Sequence, residues 1–455
     1  VPTTTHSEQA TQGRSRRLPT ALKVGAVLLA AGLTAAACGS SSPTKSASNK
    51  TSNHKKVASA NGTTTTTVPG STTTTTVAGS GTTTTVAGSA KSTTATTVKK
   101  SSTTTTAAKS TTPGGSLSAD TTSPAATLTG IGASSIEPFY GRVLYQYNKV
   151  NTGVTVNFTG SGSGPGVTAI EQNTASFGQS EVPMTAAQLA ASKGPVLQVP
   201  VDLGGVAVSY HVSGVSTGLK LNGPVLAQIY LRQITNWNDP AIAALNPGVN
   251  LPNENIVPVF RSDTSGPGYD LDQYLIDTSP TWTSAIGTSS PSTTWPTAGR
   301  ASGDSGQQLN AGVATYIQET EGAIGFIEYA YSLQANFDNV ALLNKSGSYV
   351  TPSVTTIGNA GSAISGLSST NFNIINEAGG STYPLANFSW ALLYQKQSTT
   401  NIGIVLGKLF QWVTTSGQTY GPGLGYPALP SAAVSLAHST LLTLQTSAGA
   451  PIFTN

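Results

Sequence analysis

Hydrophobic and polar positions divide the chain into three textures. Val24–Ala37 is an apolar run of 14 residues that follows Arg14, Arg16, Arg17 and Lys23 and ends in alanines. It is short for a membrane span, and a basic flank, an apolar centre and small residues together have the shape of an export signal. Residues 39–125 show neither helical nor strand periodicity. Thr63–Ser71, Thr72–Ser80 and Thr82–Ser89 are degenerate copies of one threonine-rich unit ending in Gly-Ser. Such sequence has almost nothing apolar to bury and is expected to stay disordered as a linker. From Leu128 the texture changes to short β-rich runs alternating with helical patterns, which predicts an α/β architecture. Val154–Phe158, Val206–Tyr210 and Ile256–Phe260 read as strands, and Ile136–Val150 and the surroundings of Gln273–Ile276 read as helices.

Charge sharpens the division. Residues 1–125 hold 12 Lys and Arg against 2 Asp and Glu, whereas residues 126–455 hold 10 against 16. The overall charge of +4 therefore belongs to the N-terminal part. The globular part lacks the basic footprint of a nucleic-acid binder. Cys38 is the single cysteine, so no intrachain disulfide, cysteine zinc site or iron–sulfur cluster can be built. Only His211 and His438 lie beyond residue 125, which argues against a histidine metal site; no cofactor is expected.

Three turns rich in glycine and serine each precede a helical pattern: Gly130–Ser135, Gly160–Gly166 and Arg261–Gly268. A helix start offers unpaired N–H groups and a positive dipole end, and serine hydroxyls add donors, a combination that suits a tetrahedral oxyanion. One such turn is more often an ordinary N-cap; three, one of them carrying an arginine, point to anion binding. Catalysis would need a nucleophile and a base. Gly214-Val-Ser216-Thr-Gly218 matches a nucleophile elbow in letters, with His211 nearby, but Leu219–Pro224 reads as a loop or short strand rather than the helix that motif requires. His438 reads as a helix-surface residue. No glycine loop ends in Gly-Lys-Ser/Thr, so an ATP-binding loop is not supported.

Thr34-Ala-Ala-Ala-Cys38-Gly-Ser resembles a bacterial lipoprotein signal, although Ala35 stands where leucine is usual. The segments Leu128-Thr-Gly-Ile-Gly-Ala, Phe158-Thr-Gly-Ser-Gly-Ser-Gly, Phe177-Gly-Gln-Ser-Glu-Val-Pro, Ile234-Thr-Asn-Trp-Asn-Asp-Pro, Arg261-Ser-Asp-Thr-Ser-Gly and Gly322-Ala-Ile-Gly-Phe-Ile-Glu-Tyr-Ala-Tyr carry a second resemblance. From about Leu128 to the end, the chain resembles the phosphate-binding lipoproteins of bacterial phosphate-specific ABC transporters.

The resemblance implies a two-lobed, class II periplasmic-binding-protein fold, closing like a clamshell on inorganic phosphate. It implies a signal peptide at 1–37, a linker at 38–125 lipid-anchored through Cys38, and a binding domain at 126–455. Lobe 1 would take residues 126–205 and 385–455, and lobe 2 residues 206–384, with Phe388–Tyr394 returning as a strand of lobe 1. By motif position the ligand contacts fall on Ser134, Ser135, Ser163, Glu181, Arg261, Ser265 and Gly266, with Asp263 either bracing the arginine or capping the next helix. Three positions depart from the family pattern: Ser134-Ser135 for Thr-Phe, Glu181 for Asp, and Pro267 for Thr. The expected protein is a monomer on the outer face of the cytoplasmic membrane, delivering phosphate to the transporter's permease subunits and, through them, to its ATPase. The alternatives are a receptor for another oxyanion, a phosphate-sensing or adhesion lipoprotein, or a phosphate-ester hydrolase.

Overall fold

The computed structural model describes residues 113–118, 122–296 and 305–455; the apolar run, Cys38 and the threonine repeats lie outside them. The strands are, in chain order, β1 (Ala126–Gly132), β2 (Val154–Gly160), β3 (Phe177–Ser180), β4 (Val196–His211), β5 (Lys220–Leu221), β6 (Val257–Arg261), β7 (Ser305–Gln307), β8 (Ala323–Glu328), β9 (Asp338–Asn339), β10 (Ala341–Leu343), β11 (Tyr349–Val350) and β12 (Ala386–Tyr394). Strand β4 organises the rest. Its residues from Val199 to Tyr210 are all buried, as a nearly continuous apolar run covered on both faces must be. Its first part pairs antiparallel with β12, from Val196 opposite Tyr394 to Gly205 opposite Ala386. Its second part pairs with β8, from Val206 opposite Glu328 to His211 opposite Ala323.

This single strand joins two lobes of one plan. Lobe 1 has the order β2-β1-β3-β12-β4, and lobe 2 the order β7-β6-β8-β4-β9. In each, the first strand lies between two parallel neighbours, and the fourth place is taken by a strand arriving antiparallel from the other lobe. A register shift sits opposite Pro200, where a missing N–H favours a bulge. Strands β5, β10 and β11 form a separate small sheet.

Helices cover both faces. Glu137–Val150 buries Phe139, Tyr140, Val143, Leu144 and Tyr147, a stripe at helical spacing, against Leu409, Phe410 and Trp412 of the helix Thr400–Val413. Lobe 2 is centred on Trp237, Tyr274, Trp282, Trp295 and Phe326. No helix among the described residues is long and apolar enough to cross a membrane.

The expected linker boundary at residue 125 needs correction. Gly114 N–H donates to Ile452 O at 2.8 Å, Leu117 N–H to Thr454 O at 3.3 Å, and Thr454 N–H to Gly115 O at 2.9 Å. Leu117 is buried in the lobe 1 core, and Lys408 Nζ donates to Thr122 O at 2.8 Å. The last residues assigned to the linker are thus laced onto lobe 1. One leucine and a few backbone bonds are too local to register as sequence periodicity.

Candidate anion-binding cleft

The three glycine–serine turns each follow the C-terminal end of a parallel strand, the edge where ligands bind in open α/β sheets. After β1, a 3-10 turn at Ser134–Ile136 leads into the helix Glu137–Val150. After β2, Gly162 has φ of 102°, and the helix Ser163–Gln172 begins at once; glycine is the residue that tolerates this conformation. After β6, Ser265 caps the helix Gly266–Thr278 by accepting the Gly268 N–H at 3.1 Å.

The turns meet across the lobes. A methyl group on Gly266 would come within 2.2 Å of Glu181 Cβ, and one on Gly162 within 3.0 Å of Asp263 Oδ2. Ser134 Oγ, in lobe 1, accepts from Asn310 Nδ2 at 3.2 Å and Asn310 N–H at 3.4 Å, both in lobe 2. Tyr331 OH donates to Ser134 O at 2.9 Å, and Tyr426 OH to Ser135 O. All seven predicted contact residues, Ser134, Ser135, Ser163, Glu181, Arg261, Ser265 and Gly266, are buried and lie along these four meeting segments.

Arg261 is 4% exposed and donates from Nε and Nη2 to the two carboxylate oxygens of Asp263 at 2.7 and 2.5 Å. Asp263 Oδ1 also accepts the Leu309 N–H at 3.1 Å. Asp263 therefore braces the guanidinium, and capping is left to Ser265. Burial pushes the Glu181 carboxyl up from its ordinary 4.5 to about 7, opposed by Arg261, the Ser135 hydroxyl and the Gly266 N–H, and reinforced by Asp263.

Three further carboxyls escaped the sequence reading. Asp202 on β4, Asp270 on the Gly266–Thr278 helix and Glu328 at the end of β8 are all buried. Burial, then the charge of Glu181, raises each of their pKa values well above the ordinary range. Asn387 Nδ2 donates to Asp270 Oδ2 at 2.5 Å and Gly205 N–H to Glu328 Oε1 at 3.2 Å. For Asp202 and Glu328 the only advance signal is a carboxylate inside an otherwise apolar strand, and Asp270, on a helix, has none.

Hydrogen-bond polarity distinguishes this cleft from a merely packed interface. Ser163 Oγ accepts the Glu181 N–H at 3.4 Å, Ser265 Oγ the Gly268 N–H, and Ser134 Oγ the two groups of Asn310. Each hydroxyl keeps its own hydrogen to give away. Ser135 Oγ, Glu181 Oε1 and Arg261 Nη1 are buried without a partner at hydrogen-bonding geometry, which is uncommon for polar atoms in native interiors. A broader depression of about 810 Å³ between Lys193, Tyr394 and Lys396 contains none of these residues.

The candidate elbow is a turn. Ser216 is exposed, Tyr210 OH donates to its carbonyl at 2.5 Å, and the chain continues into β5, so no helix starts behind the hydroxyl. His211 Nδ1 lies 3.1 Å from Ile317 O, and His438 Nδ1 lies 2.8 Å from Gln411 Oε1.

A model of the PBP superfamily domain matches residues 57–416. The phosphate-binding protein PstS of Pasteurella multocida is 36% identical over 312 residues, covering 68% of this chain and 88% of that protein. The chain belongs to the PstS family. PstS of Xylella fastidiosa (strain Temecula1) is 33% identical over 327 residues, covering 70% of this chain and 87% of its own. A high-affinity periplasmic phosphate-binding protein solved with phosphate shares the fold, with a TM-score of 0.54 at 18% identity, covering 69% of this chain and 93% of that one. Against the PstS pattern, Pro267 falls at the second helical position, where its missing N–H breaks no intrahelical bond.

Proposed function

We propose that this protein captures inorganic phosphate between its lobes and delivers it to the permease subunits of an ABC importer. The observation that carries the reading is the convergence of unpartnered Ser135 Oγ, Glu181 Oε1 and Arg261 Nη1 with three serine hydroxyls whose hydrogens are free to donate. Ser134, Ser135, Ser163 and Ser265 would donate to phosphate oxygens. Arg261, held by Asp263, would supply a directed countercharge. Glu181 would accept the proton that phosphate carries and sulfate lacks. Contacts from both lobes to one anion favour the closed form and shift the population towards it. The proposed role is binding without turnover, and neither histidine stands by a nucleophile in the cleft.

In this reading residues 1–37 direct export, acylated Cys38 holds the protein to the outer face of the membrane, and the residues up to 112 form the tether. Lobe 1 comprises 113–205 and 385–455, and lobe 2 comprises 206–384. The test is calorimetric titration of anion-free protein with phosphate and then sulfate. Binding of phosphate at micromolar affinity or better, lost in Arg261→Ala, is the expected result. A folded, anion-free sample that binds no phosphate would overturn the proposal.

A further inference from the structure

We propose that Asn310 is a positioning residue that orients the Ser134 hydroxyl into the cleft and does so only when the lobes are together. The inference rests on the phosphate-receptor reading and extends it to a residue outside the predicted contact set.

Asn310 is fully buried at the start of the lobe 2 helix Leu309–Glu319. Its Oδ1 accepts the Glu328 N–H at 2.9 Å. A backbone N–H can only donate, so this bond leaves the amide no choice: Nδ2 must face the other way, towards lobe 1. There it donates to Ser134 Oγ at 3.2 Å, and the Asn310 N–H approaches the same oxygen at 3.4 Å. Ser134 Oγ has two lone pairs and one hydrogen. With both lone pairs engaged, the hydroxyl is a donor only. It can serve an anion's bare oxygen but cannot take the proton of hydrogen phosphate, which leaves that role to Glu181.

The preceding residue shows how firmly this corner is held. Leu309 has φ of 59°, a left-handed conformation that costs energy for leucine, and its N–H donates to Asp263, the brace of Arg261. Two consecutive residues of lobe 2 thus govern two groups of the cleft, the Arg261 guanidinium through Asp263 and the Ser134 hydroxyl through Asn310. The Asn310–Ser134 bonds cross between lobes, so they form only on closure, and orientation of the donor arrives together with capture.

The test is a double-mutant cycle on phosphate affinity with Asn310→Ala, Ser134→Ala and the pair, read beside lobe closure by small-angle scattering. Asn310→Ala should weaken binding about tenfold to a hundredfold, the range for losing an oriented bond to an anion. In the Ser134→Ala background the same change should cost less than about threefold, because the group it acts through is gone. Asn310→Asp keeps the shape but presents an acceptor to Ser134, turning its hydrogen away from the ligand; it should bind more weakly than Asn310→Ala and stay open at phosphate concentrations that close the parent. Losses that add in the double mutant, or an Asn310→Ala protein with parental affinity, would overturn the inference while the receptor reading stands. A parent protein that binds no phosphate would instead remove both.

Discussion

Selectivity of the cleft should switch with pH, because Glu181, the proposed acceptor of the phosphate proton, titrates near neutrality. Glu181 faces Arg261, Asp263, the Ser135 hydroxyl and the Gly266 N–H, and its own charge acts on Asp202 of β4, Asp270 of the Gly266–Thr278 helix and Glu328 of β8. Its pKa is pushed up to about 7. At pH 8.5 about 97% of the protein would carry the carboxylate, and at pH 5.5 only about 3%. The carboxylate meets sulfate lone pair against lone pair, whereas the neutral acid can donate to it. Apparent sulfate affinity scales with the neutral fraction, so it should rise about thirtyfold between pH 8.5 and 5.5, levelling off below about pH 6. Phosphate, protonated throughout this range, should show a much smaller change. Glu181→Gln offers a donor at every pH and should bind sulfate with a flat profile. Competition titrations of both proteins across the range would read this directly. A parent protein whose sulfate affinity is constant from pH 5.5 to 8.5, or a Glu181→Gln variant that still excludes sulfate, would refute the reasoning.

Other consequences can be measured independently. The folded pKa of Glu181 lies above its unfolded value, so the native state holds the extra proton, and ionisation destabilises the fold as pH rises from about 4.5 through 7. Glu181→Gln should therefore gain on the order of 3 kcal/mol over the parent at pH 8 and almost nothing at pH 4.5, checked by denaturant unfolding of anion-free samples. Asp263→Ala should weaken phosphate binding about tenfold, by releasing the guanidinium, with far less damage than Arg261→Ala; calorimetry compares the two. Gly266→Ala should lose phosphate binding, since the added methyl would sit 2.2 Å from Glu181 Cβ; crystallography or titration shows whether Glu181 has moved. Leu117→Asp buries a charge in lobe 1 and should cost about 2–4 kcal/mol of stability, read by thermal melting, with phosphate affinity unchanged in the folded fraction.

Much of the local structure is visible in the sequence, and most of what is not depends on contacts between lobes. The run Val154–Phe158 lies within β2 and Ile256–Phe260 overlaps β6 from Val257, while the helical pattern at 136–150 matches the helix Glu137–Val150 but for its first residue and 273–276 lies within Gly266–Thr278. The glycine–serine turns are equally plain as motifs. Their meeting point is not, because Gly266 touches Glu181 across about 85 positions of chain. The strand reading at Val206–Tyr210 covers only the end of β4, which starts at Val196; within the sheet, a bare backbone at Gly205 makes room for Ile357 and Leu385. Asp202 and Glu328 look like ordinary polar interruptions until the fold brings them within the field of Glu181. Asn310 has no motif at all: its role is defined by Ser134 on one side and Glu328 on the other, neither of which its neighbours announce.

The lacing of Gly114–Leu117 to Ile452–Thr454 has a mechanical consequence. Both segments belong to lobe 1, so tension applied at Pro113 would be borne by lobe 1 alone. Lobe 2 hangs from it by β4 and β12, two neighbouring strands of one sheet, which flex readily out of their plane and resist sliding within it. A load entering at Pro113 would therefore have no lever on the gap between the lobes. Under the proposed anchoring, lobe 1 would act as a post and lobe 2 would swing unloaded, so taking up an anion would do no work against that attachment.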